Sequence, residues 1–269
     1  MRSVRAALDL VRWPNALIST AGVLVGAWWA GADPVSPRPL IAAAVAVLLT
    51  GFVNADNDVQ DFEIDRLAHP QRPIPAGRLT LAGARRIAHL CGALAIALSA
   101  SLGLAFALGT VSLLLAMLWY SRGLKETGLA GNVTVAVVAS APFVYGAWSV
   151  GRVTSALPLL LVSMPLHFAR EIAKDLDDAH GDAGWRRTLP LTIGPGRSVA
   201  VLMLSLAAFT AALVPLAVQR PLFGALIIPA LALCVVAGRR ALRGMPGAPR
   251  LLKSAMVGAL TALVAASRA

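Results

Sequence analysis

Ten of the thirteen acidic residues in this chain fall within two short segments, 56–65 and 171–182. Both carry the spacing Asp-x-x-Asp-x-x-x-Asp: Asp58, Asp61 and Asp65, then Asp175, Asp178 and Asp182. Steps of three and four residues bring side chains to one face of a helix, so each segment presents a row of carboxylates. Asn57, Asp61 and Asp65 repeat the step of four, as do Glu171 and Asp175. Like charges so placed repel one another unless a cation intervenes. Oxygen donors without a Cys or His pattern favour magnesium over zinc. Magnesium takes one or two carboxylates and fills its shell with water and substrate phosphate oxygens, so two rows suit a polyphosphate held by hard cations. No Ser-His-acid set, CxxC or glycine-rich phosphate loop competes with this chemistry.

The elements that must hold these rows are apolar helices. Hydrophobic residues make up 58% of the 269 positions and charged residues 14%. Soluble domains fall well outside that balance. Apolar runs at about 14–31, 39–56, 84–102, 104–120, 131–149, 154–172, 197–217, 221–238 and 251–267 predict about nine spanning helices. The expected fold is all-α, a polytopic membrane bundle, with residues 1–269 forming a single transmembrane domain. The basic N-terminus lacks a cleavage site and leads into the first span. Cys91 and Cys234 lie inside apolar runs and read as small buried hydrophobes.

A net charge of +11 raises the question of nucleic acid, but its distribution answers it. With the N-terminus in the cytoplasm, twenty of the 24 Lys and Arg residues collect at cytoplasmic helix ends, leaving Arg38, Arg152, Arg220 and Arg268 opposite. The charge is topological, with a share for anionic substrates and lipid headgroups; no nucleic-acid partner is expected. An integral protein of the plasma membrane follows, with its N-terminus and both acidic connections cytoplasmic. Outer connections are short, at Gly103 and at 151–155. The long polar ones, 57–83 and 174–196, hold the acids. Pro73 lies eight residues after Asp65 and Pro190 eight after Asp182, the mark of a parallel internal repeat.

Three motifs resemble those of one family. Asn57-Asp-Val-Gln-Asp-Phe-Glu-Ile-Asp65, followed by Arg72-Pro-Ile-Pro-Ala-Gly77, is similar to the NDxxDxxxD motif of the UbiA superfamily of intramembrane prenyltransferases. Arg170 to Asp182, then Thr188-Leu-Pro190 and Gly194, resembles that family's second, DxxxD-containing motif. Tyr120-Ser-Arg-Gly-Leu-Lys125, with Gly131-Asn132, matches its connection after the fourth span, and the likeness begins at Arg12-Trp-Pro-Asn15. The resemblance implies nine helices around a central cavity and two or more Mg2+ ions bridging the acidic motifs to an isoprenyl diphosphate. It implies Asn57, Asp58, Asp61 and Asp65 as one metal group and Asp178 and Asp182 as the other, supported by Asp175. Asp61, Asp65, Asp178, Asp182 and Lys125 would be catalytic. Arg72 and Lys125 would pair with diphosphate oxygens, with Tyr120 and Asn15 helping to place the substrate.

The reaction so implied is departure of diphosphate, an allylic cation in a dry cavity, and capture by a nucleophile of a lipophilic acceptor. His69, His89, His167 and His180 are weak candidates for a base. His180 stands where many family members carry an acid. The motif wording is most similar to the branch that moves a geranylgeranyl group to geranylgeranylglyceryl phosphate in ether-lipid synthesis. Arg78, Arg122, Arg186 and Arg187 would suit the acceptor's phosphate, although topology also places cations there. An aromatic acceptor of quinone, haem or chlorophyll synthesis, a terpene cyclase without acceptor, and a cation or phosphate transporter are the alternatives. Trp13, Trp28, Trp29, Trp119 and Trp148 are candidate stoppers of the prenyl chain or interfacial anchors.

Overall fold

The computed structural model describes residues 2–266 apart from 125, 126, 183, 185 and 186, and leaves the side chains of Arg2, Ser3, His180 and Asp182 undescribed. Among the described residues every regular element is helical. In chain order they are α1 (Arg2–Val11), α2 (Trp13–Trp29), α3 (Pro37–Gln60), α4 (Phe62–Ala68), α5 (Leu81–Ala100), α6 (Leu104–Arg122) and α7 (Leu129–Ser149). A 3-10 turn, Val153–Ala156, precedes α8 (Leu157–Asp182), α9 (Leu189–Ile193), α10 (Pro195–Gln219), α11 (Pro221–Leu226), α12 (Ile228–Leu242) and α13 (Ala248–Ala266).

Local sequence sets most boundaries. Proline opens α2, α3, α9, α10, α11 and α12 within their first two residues. Its missing N–H costs nothing there. Thr80 caps α5, its hydroxyl accepting from Gly83 N at 3.0 Å. Gly103, at φ 122°, closes the three-residue link between α5 and α6. Residues with a side chain adopt that conformation only under strain.

Among the described residues eight helical stretches are long and apolar enough to cross a membrane, α11 and α12 together forming one of them. The first predicted span corresponds to α2, which at 17 residues falls just short of that length. Large apolar side chains stand outward on these helices, among them Leu104, Leu204 and Val218. Lipid-facing surfaces require this. The buried sides are rich in Ala, Gly and Ser. Small residues of this kind line interfaces where packing, and not water exclusion, holds helices together.

The described chain divides into two compact units. The first holds residues 1–124 and 142–156, the second 125–141 and 157–269, and α7 passes from one to the other at Pro142. In the first unit α3 packs on α5 and α2. There α2 and the C-terminal half of α7 approach at van der Waals limits. A methyl on Gly26 would strike the Phe143 carbonyl, and one on Gly146 the Val23 carbonyl. In the second unit α8 packs on α10 and α13, and α12 on α13.

Helix α3 has 24 residues and α8 has 26 residues. At a rise of about 1.5 Å per residue they run roughly 36 and 39 Å. A hydrocarbon core is about 30 Å thick, so both helices outreach it. Each acidic segment sits at such an overlong C-terminal end.

Candidate functional site

The first acidic segment is not one uninterrupted helix. Regular α3 ends at Gln60, Asp61 sits at the junction with φ −87° and ψ 8°, and α4 resumes at Phe62. The spacing survives the break because the backbone bonds continue. Asp61 N donates to the Asn57 carbonyl at 2.9 Å, Asp65 N to Asp61 at 2.8 Å, and His69 N to Asp65 at 2.9 Å. The carboxylates therefore keep their helical order.

Two guanidinium groups reach that row. Arg72 donates to Asp65 Oδ2 at 2.5 Å and to Asp58 Oδ1 at 3.5 Å. Arg12 donates to the same Asp58 oxygen at 2.7 Å. Both carboxylates belong to residues only 2% exposed. Unpaired charge in such a place would be costly. Burial pushes the Asp65 carboxyl above its ordinary value, and the Arg72 charge pulls against that rise without cancelling it. Arg12 adopts the left-handed region, φ 53° and ψ 58°, alone among described non-glycine residues. That conformation costs about 1–2 kcal/mol and turns the chain from α1 into α2 beside Asp58.

Neighbouring groups complete this end of the first unit. Asn57 Oδ1 accepts from the Ser121 hydroxyl at 2.5 Å, which sets the end of α6, and with it Tyr120, next to the segment. Asn15 lies in the first turn of α2, its N–H donating to the Arg12 carbonyl at 2.7 Å. Oδ2 of Asp56 is buried without a hydrogen-bond partner.

The second segment is built differently. Asp175, Asp177 and Asp178 all lie on one helix, α8. Its cations serve Glu171, which accepts from Arg170 at 2.7 Å and from Lys174 at 2.7 Å and is 6% exposed. Asp175 instead takes a neutral donor, Asn132 Nδ2, at 2.8 Å. Asp178 is exposed. Asp177 is a structural cap, accepting from Gly247 N at 2.9 Å ahead of α13. The side chains of Asp182 and His180, and all of Lys125 and Arg186, lie outside the described residues.

Among the described residues no three acidic, His or Cys side chains are gathered tightly enough to hold an ion by themselves. In the first unit guanidinium groups already lie against the carboxylates. The donor set still fits magnesium: carboxylate and amide oxygens, no sulfur, and cations beside them for an anionic ligand. Reading the sequence alone gave Arg12 only a topological role and missed the Asn132 to Asp175 bond. Arg12 leads the Arg-Trp-Pro-Asn stretch and Asn132 follows Gly131, so both signals were present as motif neighbours without a partner.

These features define a class, a protein of apolar spanning helices with carboxylates and guanidinium groups concentrated at helix ends. The chain belongs to the UbiA prenyltransferase family, whose model matches residues 19–260. Its family and its eight apolar stretches together make it an integral membrane protein. It is 34% identical over 271 aligned positions to digeranylgeranylglyceryl phosphate synthase of Methanopyrus kandleri, covering 97% of this chain and 98% of that one. A solved structure concerning digeranylgeranylglyceryl phosphate synthase in membranes superposes with a TM-score of 0.76, at 23% identity over 99% of both chains. A UbiA homologue from Archaeoglobus fulgidus bound to GPP and Mg2+ superposes with a TM-score of 0.72, at 16% identity over 98% of each chain. Those two likenesses concern the fold.

Proposed function

We propose that this prenyltransferase moves a geranylgeranyl group from geranylgeranyl diphosphate to the free hydroxyl of geranylgeranylglyceryl phosphate. The bond from C1 to the diphosphate oxygen breaks and diphosphate leaves. C1 then bonds to the acceptor oxygen, whose proton is released. The observation that carries the reading is the convergence of Arg12 and Arg72 on Asp58, with Arg72 also bridging to Asp65, in the segment that matches the family's first motif. The relative's name, at 34% identity over nearly its whole length, supports the choice of acceptor.

Asn57, Asp58, Asp61 and Asp65 would hold magnesium in the first unit; Asp175, Asp178 and Asp182 would do so in the second. Bound there, the ions would neutralise charge developing on departing diphosphate. Arg72 meets that diphosphate as a fixed cation, together with Lys125, while Tyr120 and Asn15 orient the donor. Ser121 keeps the Asn57 amide oxygen in place. Asn132 orients Asp175 without cancelling its charge. Residues 1–269 act as one catalytic domain in the plasma membrane, with the acidic segments facing the cytoplasm. Twenty of 24 cations falling on that side support the placement.

A substrate-pair screen with product mass determination tests this. Geranylgeranyl diphosphate with geranylgeranylglyceryl phosphate should give the doubly prenylated glyceryl phosphate. Transfer to a hydroxybenzoate instead moves the chain to the aromatic branch. A hydrocarbon or alcohol from the diphosphate alone makes it a cyclase.

A further inference from the structure

Helix α1 is tied to the first acidic segment through the arginine that follows it and through a second one near Arg72. Its Val11 carbonyl accepts from Asn54 Nδ2 at 3.2 Å, and Arg12 follows directly onto Asp58. One turn earlier, Asp9 Oδ2 accepts from Arg78 Nη1 at 2.5 Å. The other terminal nitrogen of Arg78 donates to the Gln71 carbonyl at 3.1 Å, and Gln71 immediately precedes Arg72. Arg78 is thus held by α1 on one side and holds the backbone at Arg72 on the other.

The connection between them is closed on itself. Arg72 N donates to His69, Ala76 N to Arg72, and both Arg78 N and Leu79 N to the Pro73 carbonyl. Pro73 and Ile74 are buried beneath it. A displacement at Arg78 is therefore passed to Arg72 and not absorbed in slack chain. The side chains of Arg78 and Asp9 are 40% and 38% exposed. A pair so open to solvent contributes little to folding. Asp9 is also one of only three acids outside the two segments.

We propose that Asp9 and Arg78 form a clasp that positions Arg72 over Asp58 and Asp65, a role that rests on the reading of this segment as the metal and diphosphate site. Two consequences of opposite sign follow. Arg72 competes with a cation for the two carboxylates, so loosening the clasp makes metal alone bind more tightly. It also pre-places a cation for diphosphate, so the same loosening makes the donor bind more weakly.

The test uses the full chain in detergent with Asp9→Asn, Arg78→Gln and the conservative Asp9→Glu. Mn2+ binding without substrate is followed by electron paramagnetic resonance, and KM is measured for donor and acceptor separately. In Asp9→Asn and Arg78→Gln, Mn2+ affinity should rise about threefold and donor KM about fivefold, the scale of an exposed ion pair. In Asp9→Asn, acceptor KM, kcat and Tm should stay within error, and Asp9→Glu should behave as wild type. Unchanged affinities, no Mn2+ bound by wild type, or both affinities falling together with a lower Tm would overturn the clasp. Absence of diphosphate release by wild type would strike the functional reading instead, while the Mn2+ titration still decides the clasp.

Discussion

The two acidic segments share a spacing and differ in what neutralises them. In the first, Asp58 and Asp65 are buried and held by Arg12 and Arg72. In the second, the neighbouring cations are taken by Glu171, leaving Asp175 on a neutral amide and Asp178 open to solvent. The same pattern thus gives one pre-neutralised row and one whose second carboxylate is exposed. On the proposed function, the buried carboxylates would have to give up arginine partners to take a metal. The exposed Asp178 would take one without first losing an ion pair among the described contacts.

The largest effects come from removing one carboxylate of each kind. Asp58→Ala and Asp178→Ala should each lower turnover by roughly a thousandfold, as losses of charge stabilisation at a reacting centre do. Only Asp58→Ala should also cost stability, about 1–3 kcal/mol, because it strips Arg12 and Arg72 of a buried partner. Thermal unfolding of both variants checks this; equal Tm losses would erase the contrast.

Arg72→Gln should raise donor KM about 10- to 100-fold, the worth of a charged hydrogen bond, and leave acceptor KM alone. Steady-state kinetics with each substrate varied gives the answer. Glu171→Gln should change metal dependence less than about twofold while destabilising the protein by about 1–3 kcal/mol, since Glu171 organises Arg170 and Lys174 instead of an ion. A large rise in the magnesium requirement would move Glu171 into the metal group.

The smallest effect is on pH. Asp65 titrates above the ordinary carboxylate range because burial outweighs Arg72. A protonated carboxyl cannot ligate, so half-saturating magnesium should rise as pH falls, starting at a higher pH than an exposed Asp would cause. Stability runs the other way. The folded chain holds this proton more tightly than the unfolded chain, so Asp65 costs stability as pH rises from 3.8 through its folded value. Arg72→Gln removes the downward pull and should shift the magnesium profile to higher pH.

Spans and acidic rows were legible because apolar length and helical spacing are local properties of sequence. Arg72 was legible as a member of the first motif, seven residues after Asp65, and it does bond to that carboxylate. The break at Asp61 was not, because backbone bonds through the junction preserve the spacing that would have revealed it. Nor was α1, which is too short and too polar to register as a span yet carries Asp9 and delivers Arg12. The Gly26 and Gly146 contacts also escaped notice. A glycine reports that a close approach is possible, not which distant carbonyl makes it. The fate of Glu171 escaped too, since its spacing to Asp175 matches that of a ligand while its actual partners are Arg170 and Lys174.

The most direct measurement is diphosphate release from geranylgeranyl diphosphate by the purified chain with geranylgeranylglyceryl phosphate, as magnesium is titrated in and then removed with chelator. Release that requires the metal, stops on chelation and matches ether product one for one is the predicted result. Release that is indifferent to divalent cation, or none at any magnesium concentration from a folded protein, would contradict the assignment of both acidic segments.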